Sequence, residues 1–284
     1  MDYKIDETVK LIEMLLEMNQ FQLSKTVDVN RKTFSFANKD GSSLDVKTVK
    51  KLYDYAFERG VYPNQITIEY YIDGLLKGDV LLYHASKKGI VGDINPRIGK
   101  VNNDFGQGFY CGTGYDQPIS LVSNYPNASL YLFYFHTKNL KFYSFTISNE
   151  WMLAIAYFRG KLEKYNGHPV IQEIVNKVKK SDYVIAPIAD NRMFRIIDSF
   201  IDGEITDEQC AHCLAASNLG MQYVLLTDKA IKNLKPLEKL FVCDKEKEMH
   251  LKQKAIDNKD AEEKVKDIKI KYRGVGHYID ELFK

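Results

Sequence analysis

Two stretches, Tyr83-His84-Ala85-Ser86 and Asp104-Phe105-Gly106-Gln107-Gly108-Phe109-Tyr110, decide how this chain is read. Val80, Leu81, Leu82 and Tyr83 form a short apolar run of strand type that delivers His84 to the edge of a sheet. An imidazole both donates and accepts hydrogen bonds, so His84 suits a ribose hydroxyl. In the second stretch, Gly106 and Gly108 let backbone approach a ligand closely. Phe109 and Tyr110 add flat faces for a heterocycle. A core histidine beside an ordinary glycine turn explains the same residues without any ligand.

The composition leaves room for such a site. At 284 residues, with 45% hydrophobic and 27% charged side chains, the chain can build one large domain or two smaller ones. No run approaches the roughly 18 uncharged apolar residues of a membrane span. The opening MDYKIDETVK is acidic and amphipathic, unlike a secretory signal. Cys111, Cys210, Cys213 and Cys243 do not resemble a disulfide framework, so a cytoplasmic location is expected. The net charge of +2 gives no global case for nucleic acid. Between Lys25 and Lys51, however, seven basic side chains face three acidic ones. A solvated helical face and a phosphate-binding face account for that cluster equally well.

The first 75 or so residues read as helical. Val9, Ile12, Leu15 and Leu16 recur at helical spacing, and Asn19 is placed to cap a helix over Gln20 to Val27. A tight turn falls at Asp28, and Asn30 caps a third helix running towards Asn38. Ser43 or Asp45 opens a fourth, which ends at Gly60, and Pro63-Asn64 begins a link. The order of these elements, with Gln20, Leu23, Val29, Arg31, Thr33 and Ser35, resembles the helix-turn-helix domain of the phage-repressor (Cro/C1-like) class. Ser24 stands where that class has alanine, and Asp28 where it has glycine. Asp tolerates left-handed backbone better than most residues, so the turn survives. The resemblance implies that Asn30, Arg31, Lys32 and Ser35 face a DNA major groove. Such domains also dock protein partners, an antitoxin among them.

From Val80 the texture changes to short strands, aromatics and turns. Leu130 to Phe135, Lys141 to Ile147, Tyr183 to Pro187 and Tyr223 to Thr227 read as strands. Glu150 to Phe158, Pro169 to Lys179 and residues 206 to 216 read as helices. Without βαβ regularity the fold class is α+β. The expected domains are 1–75, 76–243 and a charged extension, 244–284. The extension reads as an exposed helix or loose segment whose end docks back through Tyr278, Ile279, Leu282 and Phe283.

Two tempting motifs fail. Gly106, Gly108 and Gly112 precede a strand rather than opening a helix, so they are no dinucleotide fingerprint. Cys210-Ala211-His212-Cys213 lies on an amphipathic helix with no second pair at zinc spacing, so no metal is expected.

Taken together, residues 80 to 237 resemble the ADP-ribosyltransferase fold, in the branch of diphtheria toxin and the poly-ADP-ribose polymerases. They are similar also to an uncharacterised bacterial family with the DFGxGFY element. The signatures are the histidine strand at His84, Gly108-Phe109-Tyr110 followed by Cys111-Gly112-Thr113, and a late strand in the stretch from Asn218 to Thr227. Glu150-Trp151 and Ala189-Asp190 match further pieces. The resemblance implies a mixed, split sheet with NAD bound as substrate through Tyr83, His84, Ala85, Ser86, Gly108, Phe109, Tyr110 and Tyr115, Tyr125 being a second choice for the last. His84 would meet the adenosine ribose, backbone at Ala85 the nicotinamide amide, and Tyr110 the nicotinamide ring. Gln222 occupies the position of the catalytic glutamate; having no charge, it leaves Asp190 as the candidate base, with a helix cap as the equal alternative for that residue. The expected activity is ADP-ribosyl transfer to a nucleic acid or protein acceptor, in a bacterial toxin–antitoxin or phage-defence setting. An NAD glycohydrolase, a DNA-binding regulator that senses NAD, and a scaffold with an inactive cleft are the alternatives.

Overall fold

A computed structural model describes residues 3, 5–40, 44–125, 128–216 and 220–284, with the side chains of 36–40 excepted. Ser43, one of the two expected caps of the fourth helix, and Asn218 and Leu219 of the late-strand stretch lie outside the described residues. The elements run α1 (Ile5–Leu15), α2 (Gln20–Thr26), α3 (Arg31–Asp40), α4 (Val46–Glu58), α5 (Pro63–Asp73), β1 (Asp79–Ser86), β2 (Phe109–Gly112), α6 (Asp116–Val122), β3 (Ser129–His136) and β4 (Phe142–Ser144). They continue with α7 (Asn149–Phe158), α8 (Pro169–Lys179), β5 (Tyr183–Pro187), α9 (Asn191–Ile201), α10 (Asp207–Ala215), β6 (Met221–Leu225), α11 (Asp228–Lys232), β7 (Leu234–Leu240) and α12 (Asp244–Lys271). The chain is therefore α+β.

It divides into two compact units. The first comprises 1–89, 118–136 and 235–253; the second comprises 90–117, 137–234 and 254–284. All of residues 1–75 fall in the first unit, together with β1, β3 and most of β7, while the charged stretch 244–284 is shared between the two.

In the first unit, the N-terminal helices bury Ile5, Val9, Ile12, Leu23, Phe34, Val49 and Leu52 in one apolar core. Local chemistry fixes their ends. Asn19 caps α2 in a reciprocal box with Gln22, each side chain accepting from the other residue's backbone N–H at 2.8 to 3.0 Å. Asp45 caps α4 by accepting from Lys47 and Thr48. Asp28 adopts φ +52°, the left-handed backbone that the turn between α2 and α3 needs, and the next residue's N–H closes the turn onto the Ser24 carbonyl at 2.9 Å. The Ser24 hydroxyl, buried where alanine was expected, is satisfied by donating to the Phe21 carbonyl. Pro63, read from sequence as the start of a link, instead opens α5: its missing N–H costs nothing in a first helical turn. Phe241, just past β7, packs edge-on against Tyr53 at 5.2 Å, and Asn64 donates to its carbonyl oxygen. The antiparallel pair β1–β3 sets His84 opposite Tyr131.

In the second unit the strand order is β4-β5-β6-β2, parallel between β4 and β5 and antiparallel elsewhere. Trp151, Ile155, Val175, Val184, Phe200 and Leu214 lie in its core. The bounds of α8 and β5 are those read from the sequence, whereas β6 begins two residues before the expected Tyr223 and β4 keeps only three residues. The segment after α12 does dock back: Ile279 is buried in this core and Phe283 stacks on Tyr165 at 4.0 Å, although Tyr278 stays exposed.

The α2–α3 turn gives a direct test. Asp28→Val forces a β-branched residue into left-handed backbone and should destabilise the chain by about 1–2 kcal/mol in urea denaturation. Asp28→Gly should stay within about 0.5 kcal/mol of the parent, because the ion pair it removes with Lys51 is exposed.

Candidate functional site

The second unit gathers its polar groups around the loop 104–108. Gly106 takes φ +74°, turning the chain back so that Tyr110, at the start of β2, reaches over the loop. The Tyr110 hydroxyl donates to the Gly106 carbonyl at 2.7 Å and accepts from the Phe105 N–H at 3.1 Å. Gly108 meets a different demand: a Cβ there would lie 2.7 Å from Val224 Cγ1 and 3.2 Å from the Leu225 carbonyl. That glycine admits β6 to the loop, and its open side is filled by protein.

This packing presses the Asp104 carboxylate into the interior, where it is 8% exposed. Arg159, the residue that ends α7, pairs with Asp104 Oδ1 through Nε at 3.2 Å and Nη2 at 3.1 Å. The guanidinium also lies over the Phe194 ring. On the other carboxylate oxygen, Gln222 Nε2 donates at 3.2 Å, and the same amide nitrogen donates to the Pro187 carbonyl at 3.1 Å. Both partners are acceptors, so the orientation of the amide is fixed by them. Gln222 sits on β6 between Ala186 of β5 and Gly112 of β2 and is 6% exposed.

Burial pushes the Asp104 carboxyl above the usual carboxylate range; the Arg159 charge and the hydrogen bonds from Gln222 and Arg159 oppose that shift. A glutamate at 222 would bring a second carboxylate against Asp104 and a carbonyl oxygen with no proton to share. An amide is what this position requires. Sequence reading quoted Asp104 as part of the motif and gave it no role, and it missed Arg159 altogether. The signal for Asp104 was an acid immediately before a buried phenylalanine and a turn glycine.

The remaining expected site residues separate by unit. Tyr83, His84, Ala85 and Ser86 lie on β1 in the first: Tyr83 is buried, His84 and Ala85 are half-buried, and the Ser86 hydroxyl donates to the Gly89 carbonyl. Phe109, Tyr110, Tyr115, Asp190 and Gln222 belong to the second. Phe109 and Tyr115 are half-buried, and Tyr110 packs its ring against the core. Asp190 caps α9, accepting from the Arg192 and Met193 N–H groups at 3.0 and 2.9 Å, so one carboxylate oxygen is already committed to the helix. Tyr125 carries the Lys87 ammonium 4.4 Å from its ring centroid.

At the N-terminal helices Asn30 accepts from the Lys32 N–H, and the Ser35 hydroxyl donates to Gln20. Arg31 and Lys32 are exposed. Cys210 and Cys213 are buried on α10, and His212 stacks on Tyr272 at 3.8 Å. Among the described residues no three His, Cys, Asp or Glu side chains converge to hold a metal, and no helix is long and apolar enough to cross a membrane.

The buried carboxylate makes two predictions. Arg159→Leu strands Asp104 without its counter-charge and should cost about 3–5 kcal/mol in denaturant unfolding. Because folding raises the Asp104 pKa, the folded chain holds the proton more tightly than the unfolded one. The stability that Asp104 contributes is complete below the ordinary carboxylate value and is lost as pH rises through the raised one. Asp104→Asn should therefore gain stability relative to the parent across that rise, as followed by urea titrations at a series of pH values.

No curated protein and no solved structure matches the chain. A family model described as "Protein of unknown function (DUF3990)" matches residues 80–235, from β1 into β7. That match covers more than half of the sequence, and the chain belongs to this family.

Proposed function

We propose that the protein is an NAD-consuming ADP-ribosyltransferase that modifies a macromolecular acceptor. The observation that supports it is the Asp104 carboxylate hydrogen-bonded to Gln222, the residue matched to the catalytic glutamate of the fold it resembles. In this chemistry the bond between the nicotinamide nitrogen and ribose C1′ breaks and its electron pair leaves with nicotinamide. The acceptor's nucleophile then bonds to C1′ and gives up its proton. Positive charge grows on the sugar during the first step, and a carboxylate aimed at it lowers the barrier. Gln222 alone supplies a hydrogen bond and no charge. With Asp104 behind it, its amide is polarised and oriented by an anion, and Arg159 restrains the geometry of the pair. Phe109 and Tyr115, in the same unit as Asp104 and Gln222, offer aromatic faces to the nucleotide. Neither the residues of β1 nor Asp190 is needed to supply the negative charge.

The alpha-helical part of the first unit favours a second role in DNA docking. Its α2–turn–α3 segment leaves Arg31 and Lys32 exposed at the start of a helix, beside a turn closed by the left-handed Asp28. Arg31→Ala with Lys32→Ala should reduce the dependence of log affinity on log salt by about 1.8 for duplex DNA, as two lost phosphate contacts require. An unchanged slope would remove this role.

Nicotinamide release from NAD by the purified chain, with and without cell lysate, tests the enzyme. We expect lysate-dependent release that falls roughly 10²–10³-fold in Asp104→Asn, the usual loss for one well-placed electrostatic group. Since the ionised carboxylate is the working form, the rate should climb with pH on a limb above the ordinary carboxylate range. Equal release without lysate would make water the acceptor and the protein a glycohydrolase. No release in either condition would overturn the proposal.

A further inference from the structure

In the second unit, α9 and the part of α12 beyond residue 253 border a groove of about 270 Å³. Arg192 and Arg195 line it from α9, Lys266 and Lys269 from α12, and Glu262 is the one acid in the lining. Its excess of three positive charges is larger than the +2 of the entire chain, so positive charge is concentrated here. The floor is apolar: Ile196 is buried in the core, and Val265 packs against it.

The cations of this groove are poorly compensated. Arg195, Lys266 and Lys269 form no ion pair among the described residues. Arg192 is 11% exposed; its Nη1 donates to the Asn258 carbonyl at 3.3 Å, and its Nη2 lies 3.7 Å from Asp190. Its Nε is buried and has no hydrogen-bond partner. A desolvated donor and three unpaired cations along one groove repel each other unless an anion joins them.

The arrangement also indicates the shape of that anion. On each helix the two basic residues stand three positions apart, an axial step of about 4.5 Å. Two such rows make a track along the groove, whereas a lone phosphate needs a single focus. No aromatic side chain lines the groove, so nothing there stacks a base. A volume of about 270 Å³ has room for a phosphodiester segment and none for a duplex.

We propose that the α9–α12 groove binds the backbone of a single-stranded nucleic acid, without regard to sequence. The groove starts at Arg192, two residues past the Asp190 cap and five past Pro187, the end of β5. That strand is then the class of acceptor presented for modification, an assignment that rests on the transferase proposal, whereas binding itself does not.

Fluorescence anisotropy with a fluorescein-labelled oligothymidylate tests it, using the full chain, without NAD, at salt concentrations from 50 to 200 mM. Arg31→Ala and Lys32→Ala are included throughout, so that the N-terminal helices contribute nothing. We expect log affinity to fall with log salt with a slope of about −3, as four contacts to a single strand predict. Arg195→Glu with Lys266→Glu should weaken binding at least ten-fold, and the milder Arg195→Gln with Lys266→Gln severalfold, with unfolding midpoints unchanged. Equal binding by the charge-reversed chain would overturn the proposal, as would equal competition by polyglutamate. Nicotinamide release measured on the same variants separates the two proposals. Release without strand binding overturns the groove and leaves the transferase. Strand binding without release supports the groove and overturns the transferase.

Discussion

A carboxylate taken out of water has to be answered by the residues around it, and Asp104 sets that condition for the second unit. Its two oxygens are met by groups from distant parts of the sequence, the guanidinium at the end of α7 and the amide near the start of β6. Each partner is held in turn. Arg159 lies against Phe194 of α9, and Gln222 is tied to the last residue of β5. The glycine turn and the Tyr110 hydroxyl fix the loop that carries Asp104 itself. One buried charge thus ties a loop, two helices and two strands to a single geometry. A buried polar network of this kind, with both carboxylate oxygens met, selects one packing over its competitors.

That network also explains the departure at position 222. Considered alone, glutamine in place of glutamate looks like the loss of a catalytic group. Beside Asp104 it is the only one of the two side chains that can donate to both of its neighbours.

Much of the fold was legible where local chemistry decides it. The cap at Asn19, the turn at Asp28 and the whole of α8 and β5 follow from side chains within a few residues of each other. Elements settled by distant contacts were harder. Pro63 was read as a breaker, although a proline also fits the first turn of a helix, and Asn64 docks that turn against Phe241. α9 was legible and was missed: Met193, Ile196, Ile197 and Phe200 recur at i, i+3, i+4 and i+7, with Asp190 placed to cap the helix they define. At the site, the motif's letters were visible but their partners were not. Arg159 is 55 residues from Asp104 and Gln222 is 118, separations that no local pattern spans.

The order in which these segments appear has a consequence for synthesis. The core of the second unit draws on residues 90–117, 137–234 and 254–284, and Ile279 and Phe283 fill part of it. While the ribosome is still reading the codons for α12, that core lacks its closing side chains, and the apolar surface they cover stays wet. A nascent chain therefore carries every residue of the Asp104 network before it has the packing that closes the core. An interrupted message would yield a protein with the complete motif and an unfinished interior, a natural substrate for quality-control proteases.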